Sequence, residues 1–281
     1  MMRGLHTPVR AIRRRVFKEV AQLGFKADAD TLLADMEAIP YAIVNEDSEK
    51  YRESVYRARA IVRERLRLAM GLSLRPENKP VHLTAGVEAS NISEKYYEPP
   101  LMQVIPSACE SCEENKYEVS NICKGCLAHP CQEVCPKDAI SMVNGRSYID
   151  QEKCIKCGKC KSVCPYDAIA KKERPCQKAC GVNAIKSDKM GRAYIDNEKC
   201  VSCGMCMVSC PFGAISDKSQ IFQLARALSE GENVIAEIAP AFVGQFGDNI
   251  TPRNIKAALR ELGFSEVYEV ALGADIGAIA E

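Results

Sequence analysis

Apolar residues recur at helical spacing through the first seventy positions. Val9, Ile12, Val16, Val20 and Leu23 predict a helix over 8–23 with Gly24 as its stop. A short helix is predicted over 29–38, ended by Pro40. A longer one over 48–70, ended by Gly71, carries Tyr51, Val55, Ala58, Val62, Leu66 and Ala69 as a narrow stripe, with Arg52, Arg57, Arg59, Arg63, Arg65 and Arg67 on its other faces. Periodicity fades over 73–107, where Pro76, Pro80, Pro99, Pro100 and Pro106 read as a linker draped over the next domain. The pattern then shortens. AISMV-NG-RSYID and AIKSDKMG-RAYID each predict a β-hairpin, the first turned by Asn144-Gly145. After Ile215 come a helix over 219–229 stopped near Gly231, a strand in ENVIAEIAP, a helix in TPRNIKAALRELG and a strand in SEVYEVAL. Thr251 is the expected N-cap of that helix, Pro252 its first residue and Gly263 its C-terminal stop. The strands read as apolar on both faces, as in a covered parallel sheet.

Composition narrows the chemistry. With 281 residues, 47% hydrophobic and 27% charged, the chain has the make-up of an ordinary globular protein, and its formal charge of +1 selects no nucleic-acid partner. No apolar run approaches the ~20 residues of a membrane span. Arg3, Arg10, Arg13, Arg14, Arg15 and Lys18 all precede Glu19, the first acid; they read as the solvated face of the first helix, with a targeting segment as the alternative. No phosphate loop, dinucleotide fingerprint or serine–histidine–acid arrangement appears. The outlying number is sixteen cysteines, all between Cys109 and Cys210. In a chain of this length without a secretory leader they imply thiolate chemistry in a reducing compartment, hence an expected cytoplasmic location.

Their spacing is specific. Cys154, Cys157, Cys160 and Cys164 followed by Pro165 spell C-x2-C-x2-C-x3-C-P, and Cys200, Cys203, Cys206 and Cys210 followed by Pro211 spell it again. This is the bacterial-ferredoxin run, in which three thiolates hold one 4Fe–4S cluster and the fourth turns to a neighbouring cluster. The expected sets are therefore Cys154, Cys157, Cys160 with Cys210, and Cys200, Cys203, Cys206 with Cys164. Zinc, which favours two separated pairs, is the competing reading. A third run, Cys123, Cys126, Cys131 and Cys135 before Pro136, has a longer middle gap that contains His129, a candidate ligand or tuning residue. The stretch from Pro130 to Ile169 repeats from Pro175 to Ile215, offset by 45 residues at the start and 46 at the end. Four cysteines remain: Cys109 and Cys112 in SACESC, and Cys176 and Cys180 in PCQKACGVNAI. As half motifs they make a fourth ligand set. Free thiols, a separate metal, or ligand exchange between this set and the third run are the alternatives, so three to four clusters are expected.

The segment EIAPAFVGQFG followed by KAALRELGFSEVYEVALGADI resembles the opening of the catalytic domain of iron-only (FeFe) hydrogenases, and the cysteine region is similar to the accessory-cluster domain of monomeric members. The resemblance covers roughly residues 100–281. Together with the helical N-terminal region (1–72) and the linker (73–107) read from the pattern, the expected chain is α+β, with tandem bacterial-ferredoxin-like modules of 4Fe–4S clusters (108–216) and, as the resemblance implies, the start of an α/β hydrogenase-type domain (217–281). The resemblance further implies electron transfer with ferredoxin or another one-electron carrier, and a hydrogenase catalytic domain downstream as the second partner. In that family later cysteine motifs hold the catalytic cluster, and nothing after Cys210 is cysteine, so residues 1–281 are not expected to ligate it. The alternatives are a free-standing polyferredoxin subunit and a hydrogenase-like protein of iron–sulfur assembly.

Overall fold

The computed structural model describes residues 5–26, 30–45, 52–91, 99–247 and 249–280. The chain forms two compact units, one chiefly of Val104–Ile215 and the other of His6–Gln103 together with Ser216–Glu281. The expected boundaries at 72 and 107 are thereby redrawn. Over 73–91 the expected linker is part of the helical unit, because buried polar groups pull it in. Arg67, on a face of its helix away from the apolar stripe, is buried and donates to the carbonyls of Ser73 (2.9 Å), Leu83 (2.7 Å) and Ala85 (2.8 Å). Glu64 accepts from the guanidinium of Arg75 at 2.6 Å, and Leu83 and Val87 enter the core. Arg3, Tyr51 and residues 92–98 lie outside the described residues.

In the helical unit, Pro8–Lys26, Leu32–Ile43, Val55–Ala69 and Ile221–Ser229 share one core, which includes Val16, Val20, Met36, Val62, Leu66 and Phe222. The first helix runs through Gly24 rather than stopping there. Glycine is required for another reason: a Cβ at Gly24 would sit 2.6 Å from the Ala225 Cβ and 2.8 Å from the Phe222 carbonyl oxygen. Pro40 likewise lies inside Leu32–Ile43, buried, with its carbonyl accepting from Val44 N–H. The third helix starts at Val55 behind a Ser54 cap, and the part of the expected helix over 48–51 lies outside the described residues. Gln223 ties Ile221–Ser229 to the rest of the unit by donating to the Met70 and Ser90 carbonyls, both at 3.0 Å.

The C-terminal βαβ unit forms as its caps predict. Thr251 and Asn254 make a reciprocal capping box, Pro252–Glu261 is the crossover helix, and Glu266–Glu269 pairs parallel with Ile235–Ile238. Its strands are not covered on both faces. Ala236 and Val267 are buried, but Ile235 and Tyr268 are half exposed. Val270–Ala280 continues the chain as a helix.

The other unit consists of two cysteine modules, one nested in the other. Both predicted hairpins form, Ile140–Val143 with Arg146–Ile149 and Ile185–Ser187 with Ala193–Ile195. A further antiparallel pair, Lys116–Val119 with Ile169–Lys172, is not legible as strands in the sequence. It closes the base of a first module spanning 116–172. The second module is assembled from the segments on either side: residues 104–112 and 174–215. Ile105 N–H donates to the Ala214 carbonyl at 2.7 Å, as Ser120 N–H does to Ala168 at 2.8 Å in the first module.

Candidate iron–sulfur cluster sites

Four short loops of the form C-x2-C open the cysteine sites, and they share one backbone conformation. The residue before the second cysteine is left-handed in each: Ser111 (φ 46°), Gly125 (56°), Lys156 (60°) and Ser202 (55°). The four closing cysteines are equally alike. Three positions after Cys135, Cys164, Cys180 and Cys210 stand Asp138, Asp167, Asn183 and Gly213, all left-handed. One residue further on, the N–H groups of Ala139, Ala168, Ala184 and Ala214 donate to the four sulfurs at 3.2–3.4 Å. The half motifs at Cys109–Cys112 and Cys176–Cys180 therefore fold as whole ones do. Gly181, in place of the usual proline, leaves that geometry unchanged.

The structure gathers the sixteen thiols into four sets, and all four differ from the expected sets in their fourth cysteine. Cys123, Cys126 and Cys131 line one cavity with Cys164, and Cys154, Cys157 and Cys160 line another with Cys135. Cys109, Cys112 and Cys176 line a third with Cys210. The Cys200, Cys180 and Cys203 thiols lie close enough to Cys206 to raise it electrostatically, which makes these four the last set. Cys210 is thus not beside Cys154, nor Cys164 beside Cys200. The fourth cysteine does cross, but within its own module: the hairpin-closed fold of 116–172 sets the Cys123 run against the Cys154 run, and Cys210 belongs to the other module. His129, left-handed at φ 41°, precedes the turn Pro130–Glu133 and is not among the residues lining the Cys123 cavity.

The donor sets suit a polynuclear iron–sulfur group. All sixteen cysteines are free thiols. Each set in the first module takes three thiols from one run and the fourth from another, unlike the two separated pairs that zinc favours. Burial, then the Cys210 thiol, pushes Cys176 up to about 12, with Arg174 opposing; burial pushes Cys206 up to about 11. Cys112 and Cys160 are raised chiefly by burial as well. Such sites hold thiolates only once cationic iron compensates the lost solvation. At Cys123 burial also opposes ionisation. The N–H groups of Ser147 and Gly125, the Ser147 hydroxyl and Arg146 outweigh it and hold that thiol below its ordinary value.

Two residues that spacing does not single out complete the sites. The Ser147 hydroxyl lies 3.3 Å from Cys131 Sγ; its counterpart in the second module is Ala193, whose N–H donates to Cys109 Sγ at 3.3 Å. Arg174 is 2% exposed and lines the cavity of Cys109, Cys112, Cys176 and Cys210. Its Nε and Nη2 donate to the Cys112 carbonyl at 3.0 and 2.8 Å, and other bonds reach the Gly191 carbonyl and Ser187 Oγ, both at 2.8 Å. Arg174 joins the two parts of the interrupted module. Only a lone arginine beside a C-x3-C marks it in the sequence.

Known proteins match in pieces. Residues 123–174 match an LdpA Fe-S cluster-binding domain, 193–216 a 4Fe-4S binding domain, and 232–281 the iron only hydrogenase large subunit, C-terminal domain. An uncharacterized ferredoxin of Methanocaldococcus jannaschii is 33% identical over 99 residues, 28% of this chain and 63% of that protein. The electron transport protein HydN of Escherichia coli is 37% identical over 71 residues, 25% of this chain and 41% of that protein. The chain thus spans less than two thirds of both. A 7Fe ferredoxin of Hydrogenibacillus schlegelii is 43% identical over 53 residues, 19% of this chain and 68% of the ferredoxin. Multiple 4Fe–4S clusters and electron transfer through them are the chemistry these matches and the donor sets share. Among the described residues no helix is long and apolar enough to cross a membrane.

Proposed function

Since this chain belongs to the ferredoxin family of 4Fe–4S electron carriers, we propose that it is the accessory-cluster part of an iron-only hydrogenase system, passing single electrons between an external carrier and a hydrogenase-type catalytic domain. Each of the four cysteine quartets would hold one cluster, which supplies reversible one-electron storage. The chain's own part is to place them. In the first module Cys164 and Cys135 each reach across to the other run, fixing the two sites as near neighbours; Cys210 and Cys180 do so in the second. Buried backbone N–H groups aimed at the sulfurs favour the thiolate ligands and tune the potential.

The observation that carries the hydrogenase link is the match of residues 232–281, directly after the second module, to the hydrogenase large-subunit domain. Anaerobic purification of the tagged protein from its host, with hydrogen evolution from reduced viologen assayed in every fraction, tests it. Hydrogen evolution should co-purify with the tag. Loss of all such activity from the tagged fractions refutes the link. Potentiometric spectroscopy tests electron transfer separately, by asking whether the clusters are reduced and reoxidised reversibly.

A further inference from the structure

The duplication of the cysteine modules provides an internal comparison of their surfaces. The Cys154 and Cys200 runs have the same spacing, the same left-handed residue before the second cysteine and the same short helix after a left-handed glycine. Their solvent faces differ. Residues 152–161 carry four lysines and one glutamate, whereas 198–207 carry one of each. Lys156, Lys159 and Lys161 stand where Ser202, Met205 and Met207 stand in the copy, and Lys137, after the crossing cysteine, stands where Val182 does. All four lysines are exposed. Lys137 and Lys159 line the cavity of Cys135, Cys154, Cys157 and Cys160, and the exposed Ile155 and Cys157 line it with them. The ammonium groups of the collar take no part in the ion pairs that tie Lys171, Lys172 and Lys178 to Glu113, Glu118 and Glu173.

Because the second module builds the same loop without these lysines, they are not needed to form it. We propose that the collar of Lys137, Lys156, Lys159 and Lys161 is the docking surface for an acidic one-electron carrier protein, which exchanges electrons with the cluster of Cys135, Cys154, Cys157 and Cys160. A cationic rim around an exposed apolar contact and an exposed ligand loop steers an anionic partner to the point of closest approach. The copy, rimmed by Val182, Val201, Ser202 and Met205, offers no such attraction. This assignment rests on the electron-transfer reading above and names the partner's chemistry and its point of entry.

The test exchanges the two surfaces: Lys137→Val, Lys156→Ser and Lys159→Met together in the iron-loaded full chain. These residues already occupy the equivalent positions of the same loop, so the module is expected to fold and keep its iron. Reduction by a small acidic ferredoxin is followed by stopped flow at low and high salt, with dithionite as a carrier-free reductant. The rate with the acidic ferredoxin should fall about tenfold at low salt and lose its salt dependence, while iron content and the dithionite rate stay unchanged. An unchanged ferredoxin rate with the same salt dependence overturns the collar, as does tighter binding of a mixed-sequence oligonucleotide than of the ferredoxin by the native chain. If the iron-loaded native chain accepts electrons from dithionite but from no carrier protein, the electron-transfer reading itself fails.

Discussion

Arg174→Met removes the joint of the interrupted module with little change in volume. The guanidinium is 2% exposed and bridges Cys112, at the end of one segment, to Gly191 and Ser187 in the other. Hydrogen bonds from a charged donor contribute about 1.5–3 kcal/mol each, and each buried carbonyl left without its donor costs about 1–3 kcal/mol. The bonds act as a unit, so the loss is about 3–5 kcal/mol rather than their sum. It falls on the docking of residues 109–112, and about 4 kcal/mol lowers the closed-to-open ratio roughly a thousandfold. The first module shares none of these bonds. The assay is anaerobic reconstitution with iron analysis, followed by the kinetics of iron release to a chelator. About four of about sixteen irons should be lost on reconstitution, or be released about a hundred to a thousand times faster, with the rest unaffected. Arg174→Lys should fall between. Full iron loading of Arg174→Met with native release kinetics would refute the claim that this residue holds the module closed.

Other perturbations test the remaining assignments. Cys210→Ser should disturb the spectroscopic signature of the Cys109–Cys112–Cys176 site and leave that of the Cys154 site intact; the reverse pattern would restore the spacing-based assignment. Gly125→Ala places a Cβ 2.1 Å from the Gly145 carbonyl oxygen at a φ of 56°, so it should destabilise the first module by about 1–3 kcal/mol, read as early iron loss on heating. Phe222→Ala should lower the stability of the helical unit by about 3–5 kcal/mol in a denaturant titration, with iron content unchanged. Thr251→Ala removes one half of a capping box and should cost about 1 kcal/mol, visible as reduced amide protection over Pro252–Glu261 and nowhere else.

The sites are legible in the sequence wherever chemistry imposes a local spacing. Runs such as Cys154–Cys164 declare themselves because three thiolates must converge from one loop, and Thr251, Pro252 and Gly263 declare helix ends because backbone groups there need partners. The pairing of Cys109 and Cys112 with Cys176 rests, in the sequence, on counting alone; the shared left-handed loop residues give it a structural basis. Spacing misassigns the crossing partners because it reveals only that a fourth thiolate turns away. Which loop that thiolate meets depends on the Lys116–Val119 and Ile169–Lys172 pairing, whose strands are too short and too lysine-rich to stand out. Local signals also misplace the helix ends at Gly24 and Pro40. Close approach to Ala225 and burial in the shared core override local propensity there.

Four clusters in two nested modules, each exchanging its fourth cysteine internally, can be seen directly by iron-edge anomalous diffraction from anaerobically grown crystals of the reconstituted protein. The account predicts four separate iron sites, with Cys210 bound to the iron of Cys109, Cys112 and Cys176, and Cys164 to that of Cys123, Cys126 and Cys131. Three iron sites, or Cys210 bound beside Cys154, would contradict it.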